Sequence, residues 1–154
     1  MRCWLFSSVD LENIRVSYER LLWGFWDKEA GEKQKKNWRA FLRTYNTIKP
    51  FDFAAIQIAS NGYIHAFGII RNTFYDDQTL VWPREFEQKR VLYPWRVSFS
   101  LMVFSEEPIL TRFIKIQDYI DGYGIGEISP TDIQDIFTEI SKKFKLKIKG
   151  ETQL

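Results

Sequence analysis

The chain has 154 residues, 45% of them hydrophobic and 27% charged, with a formal net charge of +2 at neutral pH. That is one globular domain, 1–154, and no apolar run approaches the roughly 20 residues of a membrane span. A single cysteine, Cys3, and a single histidine, His65, exclude an internal disulfide, a multi-cysteine zinc site and a His-rich metal site, so no metal or cofactor is expected.

The opening Met1-Arg2-Cys3-Trp4-Leu5-Phe6 gives way to Ser7-Ser8-Val9-Asp10 too soon for a signal peptide, which predicts a cytoplasmic protein with no membrane partner. Aromatic residues reach 17%, with six tryptophans, and that surplus points to an aromatic-lined pocket. Cys3 to Phe6 reads as a short buried strand. Ser8 or Asp10 caps the next element, and Leu11, Ile14, Tyr18, Leu21 and Leu22 form one apolar stripe of a helix. That helix is expected to end at Leu22-Trp23-Gly24-Phe25-Trp26, with Gly24 supplying backbone freedom. Lys28 to Lys36 reads as a polar loop. Trp38, Phe41, Leu42 and Tyr45 then recur at i, i+3, i+4 and i+7, a second amphipathic helix that Lys49-Pro50 brings to a stop.

Two strand-like runs, Phe53 to Ala59 and Tyr63 to Ile70, flank Asn61-Gly62, which predicts a hairpin with a type I′ turn. Trp82-Pro83 falls in a loop and Trp95 to Phe104 in a long strand. The Gly-rich stretch Asp121 to Gly126 follows. Ser129-Pro130-Thr131-Asp132 starts a helix with Ile133, Ile136, Phe137 and Ile140 as its buried stripe. Lys145 to Lys149 alternates like a final edge strand. The order predicts an α+β fold, a curved sheet or small β-barrel flanked by helices.

No nucleotide-binding or hydrolase motif is present, and no catalytic residue is assigned. The Gly-rich stretch follows no clear strand, which argues against a phosphate loop. His65 lies mid-strand and reads as structural; Asp76-Asp77 reads as a solvated turn rather than a metal site. Charge is uneven. Between Lys28 and Lys49 seven basic residues face two acidic ones, and Lys142 to Lys149 holds five lysines and no acid. Lys33, Lys35, Lys36, Arg39 and Arg43 are the candidates to follow a nucleic-acid backbone, against the alternative of a solvated lysine-rich surface. Trp23, Trp82 and Phe86 are the aromatics hardest to place in a core. They either form a box for a flat or methylated ligand or cover the end of the sheet.

Several short motifs, in shared order, resemble the YTH and EVE domains of the PUA-like superfamily, which read modified bases. They are Cys3-Trp4-Leu5-Phe6-Ser7-Ser8, Glu12-Asn13-Ile14, Leu22-Trp23-Gly24, the Ile58 to Gly68 hairpin, Val81-Trp82 and Tyr93-Pro94-Trp95-Arg96-Val97. The resemblance covers Cys3 to Pro108. It implies a PUA-like curved sheet and a cage in which Trp23 and Trp82 sandwich a methylated adenine. Asn13 would bond the purine edge, the Gly24 carbonyl would accept the methylamino N–H, and Phe86 stands near a third cage aromatic. The sequence departs from YTH domains at Phe6, where they carry lysine, and in the charged insert 28–36.

The resulting expectation is a non-catalytic reader of N6-methyladenine, in DNA by base flipping. It would target a modification-dependent restriction complex of the Mcr type, with an AAA+ GTPase and a nuclease on a partner or a continued chain. The alternatives are a module for tRNA or methylated RNA, a small-molecule-binding or enzymatic PUA-like domain, and a protein-interaction module.

Overall fold

Strand β1 (Cys3–Ser8) is buried along almost its whole length, and its alternation divides the molecule into two cores. Trp4 and Phe6 point to one face of the sheet and Cys3 and Leu5 to the other, as a period of two requires. A strand buried on both faces reads as a continuous apolar run, which is how Cys3 to Phe6 looks in the sequence. The computed structural model describes residues 1–143 and 146–151.

Helix α1 (Leu11–Arg20) starts at Asp10, whose carboxylate accepts the Asn13 backbone N–H at 2.9 Å. It stops two residues before the end of the apolar stripe. Leu21 takes the left-handed conformation (φ 54°), and Leu22 already belongs to strand β2 (Leu22–Phe25). Gly24 is therefore not the residue that turns the chain. The charged stretch 28–36 is not a loop either. It holds a 3₁₀ turn (Lys28–Ala30) and the first turns of α2 (Glu32–Tyr45), which packs Phe41 and Tyr45 into the first core.

Strands β3 (Phe53–Ile58) and β4 (Ile64–Tyr75) form the expected hairpin, but through five residues. Of the Asn-Gly pair only Gly62 has a positive φ (72°), so the turn is not type I′; the Asn61 side chain accepts the Tyr63 N–H instead, at 2.8 Å. The short helix α3 (Pro83–Gln88) takes Trp82 as its cap, where a loop was expected, and leads to β5 (Trp95–Phe104). Strands β6 (Gln117–Ile120) and β7 (Ile125–Glu127) enclose the Gly-rich stretch, a tight turn in which Gly122 and Gly124 have positive φ. Helix α4 (Pro130–Ser141) opens with the Ser129–Asp132 capping box and buries Ile133 and Ile136 in the second core. Strand β8 (Lys147–Gly150) pairs with β5; Lys145, the expected start of that strand, lies outside the described residues.

The sheet runs β2-β5-β4-β3-β1-β7-β6, with β8 on β5, and curls into a half-barrel flanked by the four helices. This is the α+β architecture expected. Among the described residues only β1 and β3 pair in parallel. Register shifts in β4 around Ile70 bend the long β4–β5 ribbon. Among the described residues no helix is long and apolar enough to cross a membrane, and no cluster of three metal-ligating side chains occurs. His65 is buried with Nδ1 3.1 Å from the Ser105 carbonyl, a structural role. Asp76 accepts the N–H groups of Gln78 and Thr79 and pairs with Arg96, which makes it the anchor of a turn.

The segment from Val81 to Arg96 is ordered by a buried charge. Glu85 is fully buried, and its two oxygens accept four backbone N–H groups. Oε1 takes those of Val81 (2.9 Å) and Trp82 (3.2 Å); Oε2 takes those of Leu92 (2.8 Å) and Tyr93 (3.1 Å). Arg96, also fully buried, lies 3.5 Å from Oε2 and donates to the Tyr93 carbonyl, the Thr79 carbonyl and Asp76. Removing one member of such a pair leaves the other charged and desolvated. Glu85→Ala should cost about 3–5 kcal/mol in chemical denaturation, and a loss below about 1 kcal/mol would show that the pair does not order this segment.

Candidate functional site

A cavity of about 70 Å³ opens at the end of the half-barrel, with room for several water molecules. Ser7, Ser8 and Val9 reach it from the end of β1, Asn13 from the first turn of α1, and Trp23, Gly24, Phe25 and Trp26 from β2 and its exit. Trp82, Tyr93 and Tyr123 close it from three separate connections. Four of the five residues expected to build a cage thus meet here: Asn13, Trp23, Gly24 and Trp82. Phe86 does not. It lies on the outer side of α3, 56% exposed and away from the cavity, because Glu85, its neighbour, takes the inward-facing position.

The geometry differs from a sandwich between two tryptophans. The Trp23 and Trp82 rings have centroids 6.3 Å apart and planes at 76°. Two rings that close and that steep cannot hold a flat base between parallel faces. Tyr93 also stands steeply to Trp82, at 84° and 5.6 Å. Trp82, the most buried of the three, is the floor, and Trp23 and Tyr93 both stand steeply to it. The Trp82 indole N–H donates to Ser17 Oγ at 3.0 Å, which fixes the floor to α1. Phe6 lies behind Trp23, nearly parallel to it (10°, 6.4 Å). The Phe6 position, where the sequence departs from YTH domains, thus serves as backing for a wall. Trp23 Nε1 is the one buried side-chain nitrogen or oxygen among the described residues without a hydrogen-bond partner, so packing alone holds that ring.

Gly24 owes its place to crowding rather than to turning. A Cβ there would sit 2.8 Å from the Trp82 ring and 2.8 Å from Tyr93 Cβ. Asn13 is half-buried, and among the described residues its carboxamide makes no hydrogen bond. Burial pushes the Tyr93 phenol up, with the Arg84 guanidinium pulling the other way, and pushes Tyr123 up to about 12. Both phenols are protonated donors at neutral pH. Among the described residues no carboxylate, imidazole, amine or thiol lines the cavity. The arrangement offers stacking faces, amide and hydroxyl groups, and no general acid–base pair.

The expected backbone contacts lie elsewhere. Lys33, Lys35, Lys36, Arg39 and Arg43 are all exposed on α2, and none lines the cavity. Lys33 pairs with Asp121 at 3.4 Å and Lys35 with Glu29 at 3.6 Å, while Arg43 lines a separate cleft beside Arg2 and Glu127. The first turns of α2 reach the rim through the Tyr123 hydroxyl, which donates to the Gln34 carbonyl at 2.9 Å. Of the residues the sequence reading left out of the site, Trp26 and Tyr93 matter most. Tyr93 stood in the quoted Tyr93-Pro94-Trp95-Arg96-Val97 motif without a role, and Trp26 followed the cage tryptophan by three positions.

No protein-family model matches the sequence. Among solved structures, the chain is similar to the YTH domain of Toxoplasma CPSF4 in complex with a 7-mer m6A-modified RNA (TM-score 0.55, 16% identity, covering 97% of this chain and 93% of that one). It is similar to the same domain in its apo form (TM-score 0.52, 16% identity, 97% and 88% covered). It is also similar to the Pho92 YTH domain in complex with m6A (TM-score 0.51, 14% identity, 94% and 87% covered). At these identities the likeness is one of fold: the chain has a YTH-like fold. In sequence, it is 57% identical over 144 residues to the uncharacterized protein MJ1369 of Methanocaldococcus jannaschii, a match that spans 94% of this chain and 93% of that protein. The chain belongs to the same protein family as MJ1369.

Proposed function

We propose that this protein is a non-catalytic reader of a methylated nucleobase, with N6-methyladenine as the ligand that fits best. The observation that carries the reading is the three-ring slot, in which Trp23 and Tyr93 both stand steeply to Trp82. A base stacked against Trp23 directs its edge at the floor. A methyl group on an exocyclic nitrogen then meets the Trp82 face, and the Gly24 backbone beside it supplies the acceptor for the remaining N–H. Stacking contributes about 1–3 kcal/mol per base and the buried methyl about 0.8 kcal/mol. The solved neighbours with m6A-RNA and m6A support the choice of ligand.

The polymer follows from the same reading. A slot this narrow takes a base only after it has left its stack, which costs least in a single strand. RNA is the polymer in the CPSF4 complex and is the first to test, with single- and double-stranded DNA beside it. Delivery of an AAA+ GTPase and a nuclease to methylated DNA rests on sequence resemblance alone. That role requires the duplex arm to bind as well.

Trp23→Ala or Trp82→Ala should bring binding of a methylated oligonucleotide down to the level of the unmethylated one, measured by fluorescence anisotropy on all three polymers. Each ring is buried and its loss costs about 3–5 kcal/mol, so a melting curve must first show a folded variant. A folded Trp82→Ala protein that keeps the wild-type methyl preference would overturn the slot. Asn13→Ala removes a side chain with no hydrogen-bond partner of its own in the protein. It should leave the melting temperature unchanged and weaken the methylated ligand by about 0.5–1.5 kcal/mol. Unaltered affinity would take Asn13 out of the site.

A further inference from the structure

We infer that a second cleft, sharing Trp26 with the base slot, binds a phosphate of the strand next to the caged nucleotide, so that the strand leaves the slot across α3 rather than along α2. The inference rests on the base-reading role proposed above. The cleft measures about 420 Å³; Arg84, Gln88 and Arg90 line one side and Asp27 and Glu29 another. Trp26 belongs to both cavities, so any chain with a base in the slot has its next linkage within reach of this wall.

The charges on the two sides are committed differently. Asp27 Oδ1 accepts the Trp95 indole N–H (3.0 Å) and the Lys28 backbone N–H (2.9 Å), and Glu29 pairs with Lys35. Among the described residues, neither Arg84 nor Arg90 has a carboxylate within ion-pair distance. The one side-chain bond of Arg90 runs to the Gln88 amide oxygen at 3.4 Å. The Arg84 guanidinium lies 5.8 Å from the Trp26 ring centroid. Held beside that indole and the Tyr93 phenol, and with no carboxylate partner among the described residues, it keeps N–H groups for a phosphate, which arginine takes bidentately. On α2, by contrast, Lys33 and Lys35 face acids, and Lys36 and Arg39 line neither the slot nor this cleft.

The test titrates the full chain with four ligands: N6-methyladenosine, its 5′-monophosphate, its 3′-monophosphate, and a methylated RNA trinucleotide. Wild type is compared with Arg84→Gln, with Arg90→Gln and with the α2 pair Lys36→Gln/Arg39→Gln. The α3 variants, Arg84→Gln within the helix and Arg90→Gln just past its end, should each weaken the trinucleotide about threefold to tenfold while holding the nucleoside within about twofold, and should lower the salt slope by about 0.7. The monophosphate that loses affinity along with the trinucleotide identifies the side of the nucleotide that the cleft holds. Wild-type trinucleotide affinity in both α3 variants, or a loss confined to the α2 pair, would overturn the inference and leave the slot standing. Equal losses for nucleoside and trinucleotide in Arg84→Gln, with none in Arg90→Gln, would also overturn it, because Arg84 would then act by propping Trp26. Absence of nucleoside binding in the wild type would reject the base slot itself, and the phosphate cleft with it.

Discussion

The buried Glu85–Arg96 pair decides where the cavity-facing rings stand. Trp82 and Tyr93 sit on opposite sides of α3 in the chain, and nothing in a six-residue helix fixes their separation. One carboxylate does, by taking backbone N–H groups from both sides of the helix, with Arg96 tying the assembly to β5. A buried ion pair is a weak source of net stability, since desolvation offsets much of its attraction. Here it settles geometry: without it four amide donors would be buried and unpaired. Arg96 also lies 5.4 Å from the Trp82 ring centroid, so the same network supports the floor directly.

Gly24 completes the slot from the opposite strand. Because it lacks a Cβ, β2 can lie against Trp82 and Tyr93, and three chain segments converge without a gap. Behind them the aromatic surplus continues as packing. Phe41 stacks on Tyr123 at 4.1 Å and 10°, and Phe25 meets Phe6 edge-on at 5.1 Å. Phe6 and Phe41 therefore back rings that line the slot without lining it themselves. A rigid backing is what a non-covalent reader needs, because its discrimination depends on ring positions that must be held to within fractions of an ångström.

Much of this was legible in the sequence, and the rest was not for physical reasons. The Ser129–Asp132 box, the apolar stripe of α2 and the run of β5 are local patterns, and local chemistry fixed them. Asn13, Trp23, Gly24 and Trp82, which the motif resemblance singled out, line one cavity. The end of α1 was misplaced because Leu21, a residue with little preference for positive φ, makes the turn that glycine was expected to make. Phe86 looked like a cage residue by type, yet its direction was set by the demand of Glu85 for the interior. That demand is tertiary, and no spacing rule announces that a glutamate between an arginine and a phenylalanine will be the buried one. The tilt between Trp23 and Trp82 likewise depends on how two distant segments meet.

The central claim is that the slot reads a methyl group on a base by contact with Trp82, and nuclear magnetic resonance of the indole N–H groups tests it most directly. With ¹⁵N-tryptophan in the chain, each of the six indoles reports separately. Addition of N6-methyladenosine should move the Trp23 and Trp82 signals saturably, leave Trp4 (which does not line the cavity and whose indole N–H donates to Asp52) in place, and do so at lower concentration than adenosine. Identical titrations for the two nucleosides, or shifts that spare Trp82, would contradict the account.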